Sequence, residues 1–182
     1  DQFRHSEIEF PSSPDDLNKG RRKDPRTPRP HQIEAIDAVA EGFKNADRGQ
    51  LLMACGTGKT LTALWIKERL RAKRSLVLVP SLSLLSQILR EWTASASEPF
   101  DWICVCSDKS VAKKDRVEDD WISNTSEIGA PVTSDPKEIK EFLQRDSSQV
   151  VFSTYQSSQL ISEAQEDSNV PEFDIAFADE AH

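Results

Sequence analysis

Cysteine is scarce in this 182-residue sequence, and its three copies are poorly placed for crosslinking. Cys55 stands in a glycine-rich turn, and Cys104 and Cys106 occupy alternate positions of an apolar run. That arrangement is neither a disulfide framework nor a zinc-ligand pattern, and it points to a reducing cytoplasm. No apolar run approaches the ~20 residues a membrane helix needs, and the N-terminus lacks the design of a secretion signal. There is no internal repeat. Basic charge is not in excess either: the net charge is −8. This excludes a uniformly cationic nucleic-acid coat but leaves room for a local phosphate track, because distribution matters more than the sum.

What is present suits one sizeable globular core, with 37% hydrophobic and 30% charged residues. Gln50 to Cys55 is a short apolar run bounded by turn signals, which predicts a buried strand, and Leu61 to Ile66 with Leu70 carries helical spacing. The turn between them reads Gly56-Thr57-Gly58-Lys59-Thr60. Small Gly56 and Gly58 let backbone N–H groups approach a ligand and, with the helix N-terminus, form an anion hole. Lys59 adds a mobile charge for β and γ phosphates, and the Thr60 hydroxyl suits Mg²⁺. The strict P-loop pattern asks for an earlier glycine where Met53 stands, so only the shorter core of the motif is matched.

A second apolar run, Phe173 to Ala178, ends in Asp179-Glu180-Ala181-His182. A strand there delivers two carboxylates to the carboxyl edge of a sheet, where open α/β sheets bind ligands. Asp179 is the candidate Mg²⁺ holder and Glu180 the candidate base that orients and deprotonates an attacking water. Two further strand-to-turn segments lie between the motifs. Ser75 to Ser81 precedes an amphipathic helix face of Leu84, Leu85, Ile88, Leu89 and Trp92; Val150 to Gln156 again ends in hydroxyls. Upstream, Arg29-Pro30-His31-Gln32 opens a helix whose Ile33, Ile36, Val39, Ala40 and Phe43 are spaced for one buried face.

These residues resemble the first RecA-like lobe of superfamily 2 helicases and translocases: Met53 to Thr60 its motif I, Pro80, Ser81 and Gln87 its motif Ia, and Asp179 to His182 its DEAH-type motif II. The likeness is closest to the motors of type I and type I-like single-polypeptide restriction enzymes, which translocate duplex DNA. It implies ATP with Mg²⁺ on Gly56, Thr57, Gly58, Lys59, Thr60 and Asp179, and catalysis by Lys59, Asp179 and Glu180. Gln32 corresponds to the adenine-reading glutamine, although no aromatic stacker precedes it at short range. Pro80, Ser81, Ser153 and Thr154 correspond to turns that hold phosphates of the tracked strand without reading sequence. Serine and threonine at such turns are also ordinary helix caps, and that reading stays open for each of them.

The expected architecture is a parallel sheet with helices on both faces and strands near 50–55, 75–80, 101–106, 149–153 and 173–178. Residues 29–182 form the lobe. Residues 1–28, with the basic stretch Lys19, Arg21, Arg22, Lys23, Arg26 and Arg29, read as a linker from a preceding domain or a DNA-touching arm. Residues 107–134 read as a polar insertion before a helix from about Pro136 to Arg145. In the family, a strand after motif II enters between the phosphate-turn strand and the DEAH strand, so a gap is expected there. The segment is expected to be an excerpt of a longer polypeptide with a second RecA-like lobe and possible fused nuclease and methyltransferase domains, and to be inert alone. Alternatives are an RNA helicase, a DNA repair or remodelling motor, and a non-catalytic nucleotide-binding scaffold.

Overall fold

The computed structural model describes residues 26–106 and 132–179. Glu180, residues 1–25 of the linker and residues 107–131 of the insertion lie outside the described residues. Helix α1 (Pro30–Gly42) leads through an irregular segment to the glycine-rich turn and helix α2 (Lys59–Leu70). Strand β1 (Arg74–Val79), helix α3 (Leu82–Ser95) and strand β2 (Asp101–Val105) follow. Then come β3 (Val132–Thr133), α4 (Pro136–Leu143), β4 (Gln149–Thr154), a 3₁₀ turn (Tyr155–Ser157), α5 (Ser158–Gln165) and β5 (Ile175–Ala178).

The described strands form one sheet in the order β3-β2-β4-β1-β5, and every pairing is parallel. Parallel ladders place all strand C-termini at one edge. Strand β4 sits in the middle, paired with β1 on one side and β2 on the other, and all six of its residues are buried. A strand covered on both faces has no polar side, which is why Val150, Val151 and Phe152 run without alternation.

Alternate side chains nevertheless serve different layers. Val150 and Phe152 join Leu64 of α2 and Leu85, Leu89 and Trp92 of α3 in one cluster. Val151 and Val105 join Ile139 and Leu143 of α4 and Ile161 of α5 on the other face. This is the expected α/β sandwich with helices on both faces. Trp92 is the hub of the first layer, 1% exposed, with edge contacts to Phe152 at 5.7 Å, Phe177 at 5.8 Å and Phe100 at 6.5 Å. The second layer is closed at the bottom by Gln149, fully buried, whose amide donates to Phe142 O of α4 and to Arg145 O just beyond it.

Two expectations are corrected. Gln50 to Cys55 is not a strand: Gln50 to Ala54 carries no regular structure, and Leu52 is 82% exposed. Leu51, Leu52 and Met53 line a cavity of about 950 Å³ together with Ile175, Ala176 and Ala178, and no ladder joins this segment to β5. An apolar run becomes a strand only when a neighbour satisfies its N–H and C=O groups, and among the described residues no strand pairs with it. This cavity lies where the family likeness implies a gap. The buried face of α1 is also narrower than its pattern suggests, since Ile33 is 46% exposed while Gln32 and Ile36 are buried. Helix α1 packs chiefly against α2, and Val39 and Phe43 face the cavity instead of the sheet.

Candidate nucleotide site

Gly56 and Gly58 have φ of +75° and +84°, the left-handed region that side chains other than glycine's rarely enter. They bend the chain twice within three residues and bring it into α2 with Gly58 as its N-cap. Thr57 braces the turn by donating both its hydroxyl (2.6 Å) and its N–H (3.3 Å) to Ala54 O. At Gly58 there is a second constraint. A Cβ built there would stand 2.6 Å from Gln32 Nε2, so an alanine would strain the backbone and push that amide off its place.

The first turn of α2 contains Lys59 and no acidic residue. A cation at the positive end of a helix dipole is unfavourable by itself, and both charges become favourable together once an anion lies against them. A bound anion would relieve this local conflict. Lys59, Thr60 and Asp179 line the same cavity. Asp179 is set by its N–H, which donates to Leu78 O at 2.9 Å and fixes the end of β5 beside the end of β1. Lys59, Thr60 and Asp179 thus share one cavity, and Gly58 stands immediately before Lys59 at the start of α2.

The residues assigned to nucleic acid are divided. Pro80 is exposed and Ser81 half-buried at the mouth of α3. Ser81 caps that helix, its Oγ accepting from Leu84 N at 3.2 Å. Ser153 and Thr154 are buried, and their hydroxyls face inward: Ser153 donates to Val105 O at 3.1 Å, and Thr154 bonds the Ser157 hydroxyl at 3.1 Å. Their place at the end of a strand covered on both faces turns them into internal braces. Any phosphate held at this turn must therefore be met by its neighbours, of which Gln156 is exposed.

Three site residues escape the motif reading. Trp92, expected only as core, also donates Nε1–H to Thr60 O at 2.9 Å and so ties α3 to the first turn of α2. Tyr155 donates its hydroxyl to Asp179 O at 2.7 Å, bridging from the end of β4 across β1 to the carboxylate segment. His31 Nε2 lies 3.3 Å from Thr57 O, next to the bond from Gln32. No periodicity reports such bonds, because each joins segments at least 24 residues apart.

The cysteines differ sharply in burial. Burial pushes the Cys104 thiol up to about 12 and Cys106 up to about 11, whereas Cys55 is exposed beside Gly56. A thiol must ionise and be reached to react. Among this chain's three cysteines, iodoacetamide should modify Cys55 alone in the native protein, and ATP should slow that modification by covering the turn. Peptide mapping after timed labelling checks both; rapid native labelling of Cys104 would contradict the burial.

Comparison with known proteins identifies the family. Residues 26–182 match the family described as "Type III restriction enzyme, res subunit". A probable helicase of African swine fever virus is 31% identical over 156 residues, which cover 85% of this chain and 16% of the viral protein. UvrABC system protein B of Kosmotoga olearia is 41% identical over 71 residues, 38% of this chain and 10% of that protein. Among solved structures, a nuclease-deletion mutant of the Type ISP restriction-modification enzyme LlaGI, in complex with a DNA substrate mimic, superposes with a TM-score of 0.69 at 38% identity. That match covers 86% of this chain and 15% of the LlaGI chain. The ATP-dependent Type ISP enzyme LlaBIII bound to DNA gives a TM-score of 0.66 at 37% identity, over 84% and 10% of the two chains. The chain thus spans less than a fifth of the length of these relatives.

Proposed function

The chain belongs to the family of the type III restriction enzyme res subunit and has the first RecA-like lobe of the superfamily 2 helicases and translocases; from that premise we propose that residues 29–182 are the ATP-binding lobe of an ATP-dependent DNA translocase, the motor of a restriction-modification enzyme. The observation that carries this reading is that Lys59, Thr60 and Asp179 line one cavity, next to a glycine turn and helix N-terminus that an anion would complement.

In this reading the N–H groups of Gly56, Thr57 and Gly58 and the ammonium of Lys59 hold the β and γ phosphates. The Thr60 hydroxyl and the Asp179 carboxylate are the Mg²⁺ ligands, directly or through water, and the ion supplies neutralisation of charge on the phosphate oxygens. Glu180, the next residue, orients the attacking water and takes its proton. Phosphoryl transfer requires positioning and charge compensation more than covalent chemistry. Charge compensation on the far side of the γ phosphate comes from a second RecA-like lobe, and nuclease and methyltransferase domains complete the restriction enzyme. In this reading duplex DNA runs past Pro80, Ser81 and the turn after β4; that LlaGI and LlaBIII are seen with a DNA substrate mimic and with DNA supports DNA as the partner.

The test is ATP hydrolysis by the full-length protein with duplex DNA, single-stranded RNA, or no nucleic acid. Stimulation by duplex DNA independent of its sequence is expected beyond any recognition site. Stimulation by RNA alone would favour an RNA helicase, and absence of turnover under every condition would leave only the scaffold.

A further inference from the structure

The Gln32 amide is already committed, and its commitment is to the phosphate turn. Its Oε1 accepts from Arg29 N at 2.8 Å, and Gln32 N in turn donates to the Arg29 backbone carbonyl at 2.9 Å at the start of α1. Its Nε2 donates to Thr57 O at 3.0 Å and lies 3.4 Å from Gly58 O. The orientation is unambiguous, because a backbone N–H demands the oxygen at one end and a carbonyl demands the NH₂ at the other. Gln32 is 4% exposed, so this geometry is held by packing. His31 adds a second ring nitrogen 3.3 Å from the same Thr57 oxygen.

A trans peptide carries its C=O and the following N–H in opposite directions, and the structure contains no cis peptide among the described residues. Holding Thr57 C=O toward α1 therefore aims Gly58 N–H away from α1. The absence of a Cβ on Gly58 is what lets Nε2 come this close.

We propose that Gln32 and His31 form a pincer on the Thr57 carbonyl that sets the Thr57–Gly58 peptide for phosphate binding, so that Gln32 acts on the triphosphate and not on the base alone. The inference rests on the phosphate-turn reading given above. Both are positioning residues, since they act through the peptide they hold. Glutamine is required chemically: a glutamate would keep the bond from Arg29 but set carboxylate oxygen against carbonyl oxygen.

The experiment measures affinities of the full-length protein for ATP, GTP and inorganic tripolyphosphate, in wild type, Gln32→Met, His31→Phe and the double variant, each at a temperature where its melting curve shows it folded. Gln32→Met should weaken all three ligands by one common factor of about ten, the size expected for one lost hydrogen bond. His31→Phe should weaken them about twofold to threefold. Because both side chains hold one oxygen, the double variant should lose more than the product of the single losses. Loss of ATP affinity alone, with GTP and tripolyphosphate unchanged, would overturn the proposal and leave Gln32 a base reader. A lowered melting temperature with all three affinities unchanged would overturn it too, leaving a helix cap. If the wild-type protein bound none of the three, the phosphate-turn reading would fall first and this inference with it.

Discussion

Replacing Lys59 by alanine in the full-length protein lowers DNA-stimulated ATP turnover by roughly 10²–10³-fold or more, the range seen when one preorganised charge stabiliser is removed from a transition state. The physical reason lies in the first turn of α2. Lys59 is the cation of that turn and lines the cavity that Thr60 and Asp179 share. Without it the backbone N–H groups face the phosphate charge alone. Glu180→Gln is the complementary variant, for it keeps a group able to hold a water but not to accept its proton. It should bind ATP with affinity close to wild type while hydrolysis stalls. Equilibrium binding and steady-state turnover on both proteins separate the two roles. Near-normal turnover by Glu180→Gln would show that another group takes the proton.

Trp92→Ala should destabilise the lobe by about 3–5 kcal/mol, the usual cost of removing a large buried aromatic. The residue is 1% exposed and touches rings from β4, β5 and the loop before β2, so the space cannot close from one side. Against a total domain stability of about 5–15 kcal/mol, the loss is a large share. It corresponds to a fall of roughly 6–20 °C in the melting transition for a unit of this size. Trp92→Phe keeps most of the ring packing but deletes the bond to Thr60 O. It should cost nearer 1–3 kcal/mol and raise the KM for ATP several-fold, because the first turn of α2 loses its tie to α3. Thermal denaturation of the full-length variants checks the first effect and ATPase kinetics the second. A Trp92→Ala protein that melts within a degree of wild type would mean that the ring cluster is not the hub of this layer.

The sequence by itself determined the elements whose pattern is local. Alternation and apolar runs mark β1, β2, β4 and β5, and the spacing of Leu85, Ile88, Leu89 and Trp92 marks α3, because the side chains that pack are set by the period of the backbone. The glycine turn was legible for the same reason: Gly56 and Gly58 are the residues that accept φ of +75° and +84°. The family likeness read from these motifs is the one the relatives bear out.

Only the tertiary structure decided what depends on neighbours. Gln50 to Ala54 has the composition of a strand but no ladder, since hydrogen bonding between strands is a property of pairs and a cavity lies on the side toward β5. Ser153 and Thr154 have the chemistry to hold a phosphate, yet β4 is covered on both faces and their hydroxyls are consumed within the fold. The short strand β3 pairs with β2 through two residues that no pattern could distinguish from a loop. Gln32 carries an amide whose type alone names no partner, and the packing of α1 on α2 sets its bond to Thr57 O. In each case residue type sets what a group can bond, and the long-range approach of another segment settles which bond it makes.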